Sequence, residues 1–186
     1  MGKEMIKHYN KDPIKSKARE LIREAIERNI LDHLEPNKIR VMCFPGIDAS
    51  EILEVYDPLG IQRKNIYGIE KDEKIAAILE GGSFGIHVVP TTLEEFVSAQ
   101  RRLEFDVISL DYTGPLHYSH MNILRQISEK QAGRPFILHH ANLAKRDQGL
   151  NTYAQAYALE QLSPAMCLDK KDPSEFILDV ERIKED

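Results

Sequence analysis

Between Ile39 and Leu59 the chain has a single glycine, Gly46, so the G-x-G-x-x-G fingerprint of a dinucleotide-binding turn is absent. A diphosphate needs several close backbone N–H groups at a helix N-terminus, and Asp48 standing there repels one, which disfavours NAD and FAD. Cysteine is scarce: Cys43 and Cys167 lie far apart without metal-ligand spacing, and reduced, buried thiols of a cytoplasmic protein are the expectation. No run approaches the roughly 18 apolar residues that a membrane helix needs, and the basic, polar start MGKEMIKHYNKDPIKSKARE has no apolar stretch of a secretory signal. The sequence also lacks a G-x-S-x-G elbow, an H-E-x-x-H helix, a P-loop, a Cys-x-x-Cys pair, internal repeats and low-complexity segments. His139 and His140 are neighbours in a predicted strand and so point to opposite faces, which argues against one metal centre using both, and no metal site is assigned.

What is present fits one soluble domain. The 186 residues are 42% hydrophobic and 30% charged, which supplies enough apolar material for a substantial core. Net charge is −5, but residues 1–40 carry ten Lys or Arg against seven Asp or Glu, so the remainder holds −8. The acidic balance argues against a uniformly basic nucleic-acid surface and leaves room for a local basic layer at the N-terminus.

The most informative stretch runs from Ile39 to Asp72. Ile39–Phe44 and Ile66–Ile69 are short apolar runs suited to buried parallel strands. Pro45 and Gly46 mark the turn after the first, Asp48 with Glu51 three residues on starts a helix, and Gly60 after Asp57-Pro58 closes it. In this βαβ unit Glu70 ends the second strand, 24 residues past Gly46, where an acid can accept both hydroxyls of a ribose. A nucleoside cofactor without phosphate, held by its sugar and base, fits a one-glycine turn better than a dinucleotide does.

Alternating strands and helices continue. Residues 14–34 read as an amphipathic helix with Leu21, Ile22, Ala25, Ile26, Ile30 and Leu34 inward, and the run after Glu70 as a helix with Ile75, Ile78 and Leu79 inward, stopped at Gly81-Gly82. Ile86–Val89 is a third strand; Thr92 and Glu95 form a capping box for a helix through about Arg102. Phe105–Leu110 is a fourth strand, a helix from about Tyr118 to Gln131 follows, and Pro135–His140 is a fifth. Gln148–Leu162 reads as a last helix, with Ala165–Leu168 and Phe176–Val180 as an antiparallel hairpin. The expectation is a doubly wound α/β domain of about seven mostly parallel strands: a helical layer over 1–37, a cofactor-binding core over 38–142 and a C-terminal helix and hairpin over 143–186.

The polar residues fall at strand carboxyl ends: Pro45, Gly46 and Asp48 after the first, Glu70 and Lys71 after the second, Thr91 and Thr92 after the third, Asp111 and Tyr112 after the fourth, His139, His140 and Asn142 at the fifth. That order resembles the class I, Rossmann-like family of S-adenosylmethionine-dependent methyltransferases over roughly Ile39 to Asn142. VMCFPGIDAS is similar to the family's first motif, with Met42, Cys43 and Phe44 where an acid is usual and Gly46 in place of several glycines; IYGIEKD is similar to the second, HVVPTTLEEF to the adenine-contacting segment, and FDVISLDYTGPL to the fourth. Asp111-Tyr112-Thr113-Gly114-Pro115 resembles the D-P-F/Y-G-x-P run of tRNA guanine-N2 methyltransferases, with Tyr112 in place of the first proline. The resemblance implies S-adenosylmethionine as cofactor, with Glu70 on the ribose, Pro45, Gly46 and Asp48 against its methionine portion, Lys71 also among the cofactor-binding residues, Thr91 and Thr92 near adenine, and Asp111 and Tyr112 at the reacting end. It further implies a nucleic-acid base, in RNA or DNA, as acceptor; a small-molecule acceptor and a non-catalytic binding or scaffold module on the same fold are the alternatives.

Overall fold

The computed structural model describes residues 13–82, 84–112, 118–131 and 133–141. Among them five strands form one parallel sheet: β1 (Val41–Cys43), β2 (Ile66–Ile69), β3 (His87–Val89), β4 (Val107–Asp111) and β5 (Ile137–Ala141), in the order β3-β2-β1-β4-β5. The chain runs outward from β1 to β3 on one side and, through β4, to β5 on the other, so the order reverses between β1 and β4. The expected hairpin strands, the helix from Gln148, the Thr113–Pro115 turn and Asn142 lie outside the described residues, so the sheet described here has five strands where about seven are expected.

Parallel strands flanked by helices bury both faces, and β1 is the clearest case, with Val41, Met42 and Cys43 all fully buried. Val41 and Cys43 point toward Ile22 and Ile26 of helix α1 (Pro13–Asn29), Ile30 just after it, and Ile52, Val55 and Tyr56. Met42, with Ile108 and Leu110 of β4, points the other way, toward Leu93 and Val97 of α3 (Leu93–Ala99) and Ile123, Leu124 and Ile127 of α4 (Tyr118–Lys130). Helix α2 (Glu73–Gly81) buries Ala76 and Leu79. The amphipathic patterns hold with two corrections: Leu21 and Ile78, expected inward, are 43% and 49% exposed.

Local chemistry sets the helix starts. Asp72 accepts the backbone N–H groups of Lys74 and Ile75, and Thr92 with Glu95 forms a complete capping box at α3, as its spacing predicts. That helix ends at Ala99, three residues before Arg102. After β1 the helix is short and widely wound: the Asp57 N–H reaches back five residues to the Ile52 carbonyl at 2.9 Å, and the Ile61 N–H to that of Tyr56 at 3.1 Å. This winding, rather than the ordinary α-helix the sequence predicts, matches a side-chain bond of the same span, in which the Tyr56 hydroxyl donates to the Glu51 carboxylate.

The turn after β1 folds directly onto β2. A Cβ on Gly68 would stand 2.9 Å from Cγ of Pro45 and 3.1 Å from Cδ1 of Ile86, so only glycine lets the turn settle there. Gly68→Ala is expected to lower stability by about 1–3 kcal/mol, the range for overpacking a filled site. Urea denaturation of the two proteins checks this, and an unchanged midpoint would show that the Pro45 ring is free to move.

Candidate functional site

Five of the described strands point their carboxyl ends the same way, and four of them feed one cleft of about 330 Å³ on the rim. β1 sends Phe44, β2 sends Ile69, Glu70 and Lys71, the segment after β3 sends Thr91 and Thr92, α3 sends Leu93 and Glu94, and β4 sends Asp111 and Tyr112; His120 of α4 closes the far side. This is where the strand order reverses, the usual position of a ligand crevice in an open α/β sheet. The volume lies at the lower end of the roughly 300–1,000 Å³ typical of ligand pockets.

Of the residues singled out in the sequence, Glu70, Lys71, Thr91, Thr92, Asp111 and Tyr112 share this cleft. Pro45, Gly46 and Asp48 do not line it. The Pro45 ring is buried against Gly68, Gly46 carries the turn at φ +60°, and the Asp48 carboxylate accepts the Ser50 N–H at 3.2 Å. Each has a local job in turning the chain, which the sequence pattern does not separate from ligand contact.

The polar groups in the cleft differ in how committed they are. Oε1 of Glu70 accepts the Asp72 N–H at 2.8 Å, which fixes the carboxylate and leaves Oε2 for another donor. Thr91 and Thr92 both donate to Oε2 of Glu95, at 2.8 and 3.0 Å, and hold its carboxyl below the usual range; the Thr91 bond is the larger cause and the Thr92 backbone N–H the next. Their hydroxyl protons therefore serve the start of α3. Oδ2 of Asp111 pairs with Nζ of Lys15 at 2.6 Å, bringing the first turn of α1 over the end of β4. Nothing in residue spacing foretells this contact, because 96 positions separate the partners.

Tyr112 stands at the centre of an aromatic group. Its ring stacks on His120 with centroids 4.0 Å apart and meets Phe44 and His140 edge-on at 5.1 and 5.4 Å. The Tyr112 hydroxyl is buried without a hydrogen-bond partner among the described residues, and burial, with the Glu94 carboxylate second, pushes its ionisation far up. Phe44 is a wall of the cleft and does not plug it. His120 is a site residue that the sequence reading misses: it is a polar position of an amphipathic helix, brought to Tyr112 only by the packing of α4 on the sheet.

The adjacent histidines of β5 face opposite ways. Nδ1 of His139 lies 2.9 Å from Oγ of Ser109 on the α1 face, and His140 meets Tyr112 on the α4 face. Beside His139, buried Glu51 accepts from Tyr56. Burial, and secondarily Glu51, pushes the Cys43 thiol well above its ordinary value, so it stays protonated and is no nucleophile.

No family model matches this sequence, and no curated protein matches it. Among solved structures the fold is similar to that of a SAM dependent methyltransferase from Archaeoglobus fulgidus, at 16% sequence identity over 77% of this chain and 68% of that chain, with a TM-score of 0.47.

Burial, with His120 and then His139 as further causes, lowers the pKa of His140 from 6.5 to about 4. The unfolded chain takes up this proton before the folded one does, so the contribution to stability is complete above about 6.5 and is lost as pH falls toward about 4. His140→Asn is expected to flatten the fall in stability over that interval, measured as denaturation midpoints at pH 7 and pH 4.5. An unchanged difference between the two midpoints would mean that the imidazole is hydrated.

Proposed function

We propose that this chain is a methyltransferase that uses S-adenosylmethionine, with the rim cleft as its active site. The observation that carries the reading is that the Glu70 carboxylate, with one oxygen uncommitted, shares a single cleft with Asp111 and Tyr112 at the reversal of strand order. The lining suits such a cofactor. Even with Lys15 paired to Asp111, the carboxylates of Glu70, Glu94 and Asp111 outnumber the ammonium groups of Lys71 and Lys15, so the cleft favours a cation such as a sulfonium and disfavours a diphosphate. Phe44, Ile69, Leu93 and Tyr112 supply flat and apolar walls for a base.

The bound cofactor would supply an electrophilic methyl group. Glu70 would accept the ribose hydroxyls, its orientation set by the Asp72 N–H. Asp111, held in place by Lys15, would accept an N–H of the acceptor through its other oxygen, aiming the nitrogen lone pair, and Tyr112 with His120 would form the wall beside it. Such a reaction depends mainly on positioning. A nucleic-acid base is the acceptor class proposed; the acidic lining of the cleft favours a second reading, a small neutral or cationic acceptor.

Calorimetric titration with S-adenosylhomocysteine tests the proposal. Micromolar binding, weakened at least about tenfold in Glu70→Ala by loss of charge-assisted bonds, is the expected outcome. Absence of binding at millimolar ligand would leave a non-catalytic module on this fold. With binding established, an RNA affinity that falls steeply with salt would mark a nucleic-acid acceptor, and no affinity for RNA a small molecule.

A further inference from the structure

At the opposite end of the sheet lies a second cleft of about 350 Å³, and we propose that it is a nucleotide-binding groove, taking a base against its aromatic wall and a phosphate on Arg40 and Arg102. It opens beside the N-terminal ends of β1 and β4, below the C-terminal end of α3. Arg40, just before β1, is four residues from Phe44 of the rim cleft, about 13 Å along an extended strand. The two clefts therefore flank α3 from opposite ends and share none of their lining residues.

The groove has two chemically distinct parts. One is aromatic: Tyr67 and Phe96 are half-buried and both pack on buried Phe105 at 5.3 and 6.4 Å, and since the Tyr67 ring is itself stacked on His87 with centroids 4.9 Å apart, Phe96 is the ring offered to a base. The other is cationic. The Arg40 guanidinium lies 5.4 Å from the Tyr67 ring centre and 5.3 Å from that of Phe105, cation–π contacts that hold it beside the wall. Glu104 takes one of its donors at 3.3 Å, leaving the rest of the fork. Arg102 has no hydrogen-bond or ion-pair partner among the described residues, nor does the side-chain amide of Gln100.

Two guanidinium groups against one carboxylate leave this groove positive in a chain whose net charge is −5. A ligand that satisfies both halves must be flat over most of its length and anionic at one end. Guanidinium forks match phosphate oxygens in pairs, and aromatic and guanidinium planes are the usual stacking surfaces for unpaired bases. A nucleotide unites these features at a size the groove accommodates. The groove stands whatever the rim cleft holds, because neither its residues nor its charge depend on that site.

The test is ¹⁵N-edited NMR titration of the full chain with adenosine and guanosine monophosphates, and separately with a single-stranded RNA hexamer. Shifts are expected at Gln100, Arg102 and Phe96, with Arg102→Glu raising Kd by about tenfold or more, while Glu70→Ala leaves it unchanged. Arg102 is exposed and unpaired, so its replacement leaves the fold intact, which the unshifted remainder of the spectrum verifies. Saturation by the monophosphates would assign a free nucleotide; saturation by the hexamer alone, a nucleotide within a strand. Overturning results are no shift at millimolar ligand, shifts centred on Glu70 and Thr91, equal binding of the phosphate-free nucleosides, or an unaltered Kd in Arg102→Glu.

Discussion

The rim depends on the closeness of Pro45 to Gly68. Cys43 and Gly68 are register partners in adjacent parallel strands, and the proline two residues later folds back over the glycine instead of continuing along the sheet. The turn is thereby lowered onto β2 and away from the cleft. Phe44, whose N–H still bonds the Ser109 carbonyl at 3.3 Å, is left at the edge of the sheet, where its ring reaches Tyr112. Glu70, two residues past Gly68, emerges on the same rim. One missing Cβ thus lets the first turn pack on β2 and leaves the lining of the cleft to Phe44 and the ends of β2 and β4 with their neighbours.

The two faces of the sheet then divide the chemistry. Strand alternation sends Ser109, Asp111 and His139 to the α1 face, where Glu51 and Tyr56 pair and Lys15 meets Asp111. Buried polar groups persist there because each is hydrogen-bonded, and removing one partner would leave the other desolvated. Tyr112, His120 and His140 gather on the opposite face beside Phe44. Asp111 and Tyr112 are neighbours in sequence, yet one is held from the α1 side and the other from the α4 side. Both line the cleft, so it receives an acid and a flat ring from converging directions.

What could be read from residues alone was local. The five strand positions, the capping box of Thr92 and Glu95, the burial of Cys43 and the opposed facing of His139 and His140 all follow from short-range periodicity or cap chemistry. The placement of Glu70 at a strand end was legible for the same reason. Lys15 on Asp111 and His120 on Tyr112 were not, since each is an unremarkable helix position until tertiary packing carries it to the rim. The wide winding of Ile52–Tyr56 was hidden as well, because it reflects a buried carboxylate and a phenol finding each other across five residues. Pro45, Gly46 and Asp48 show the converse: the residue types that cradle a ligand are also those that build a tight turn, and sequence spacing does not distinguish the two.

Helix α3 stands between two clefts of opposite electrostatic character. Its N-terminal end borders the rim cleft, where Glu95 is consumed by the cap and Glu70, Glu94 and Asp111 remain as the charged lining beside Lys71. At its C-terminal end the backbone carbonyls of Val97 and Gln100 accept from Nζ of Lys130, at 2.6 and 2.7 Å. With those acceptors satisfied by the lysine, the helix end does not compete for the guanidinium groups of Arg40 and Arg102. A helix of only seven residues, pinned by a cap at one end and a lysine at the other, has little freedom to adapt its ends separately. The same rigid wall therefore separates an acidic cleft, lined by Glu70, Glu94 and Asp111, from a basic one, lined by Arg40 and Arg102, so a single ligand chemistry cannot suit both.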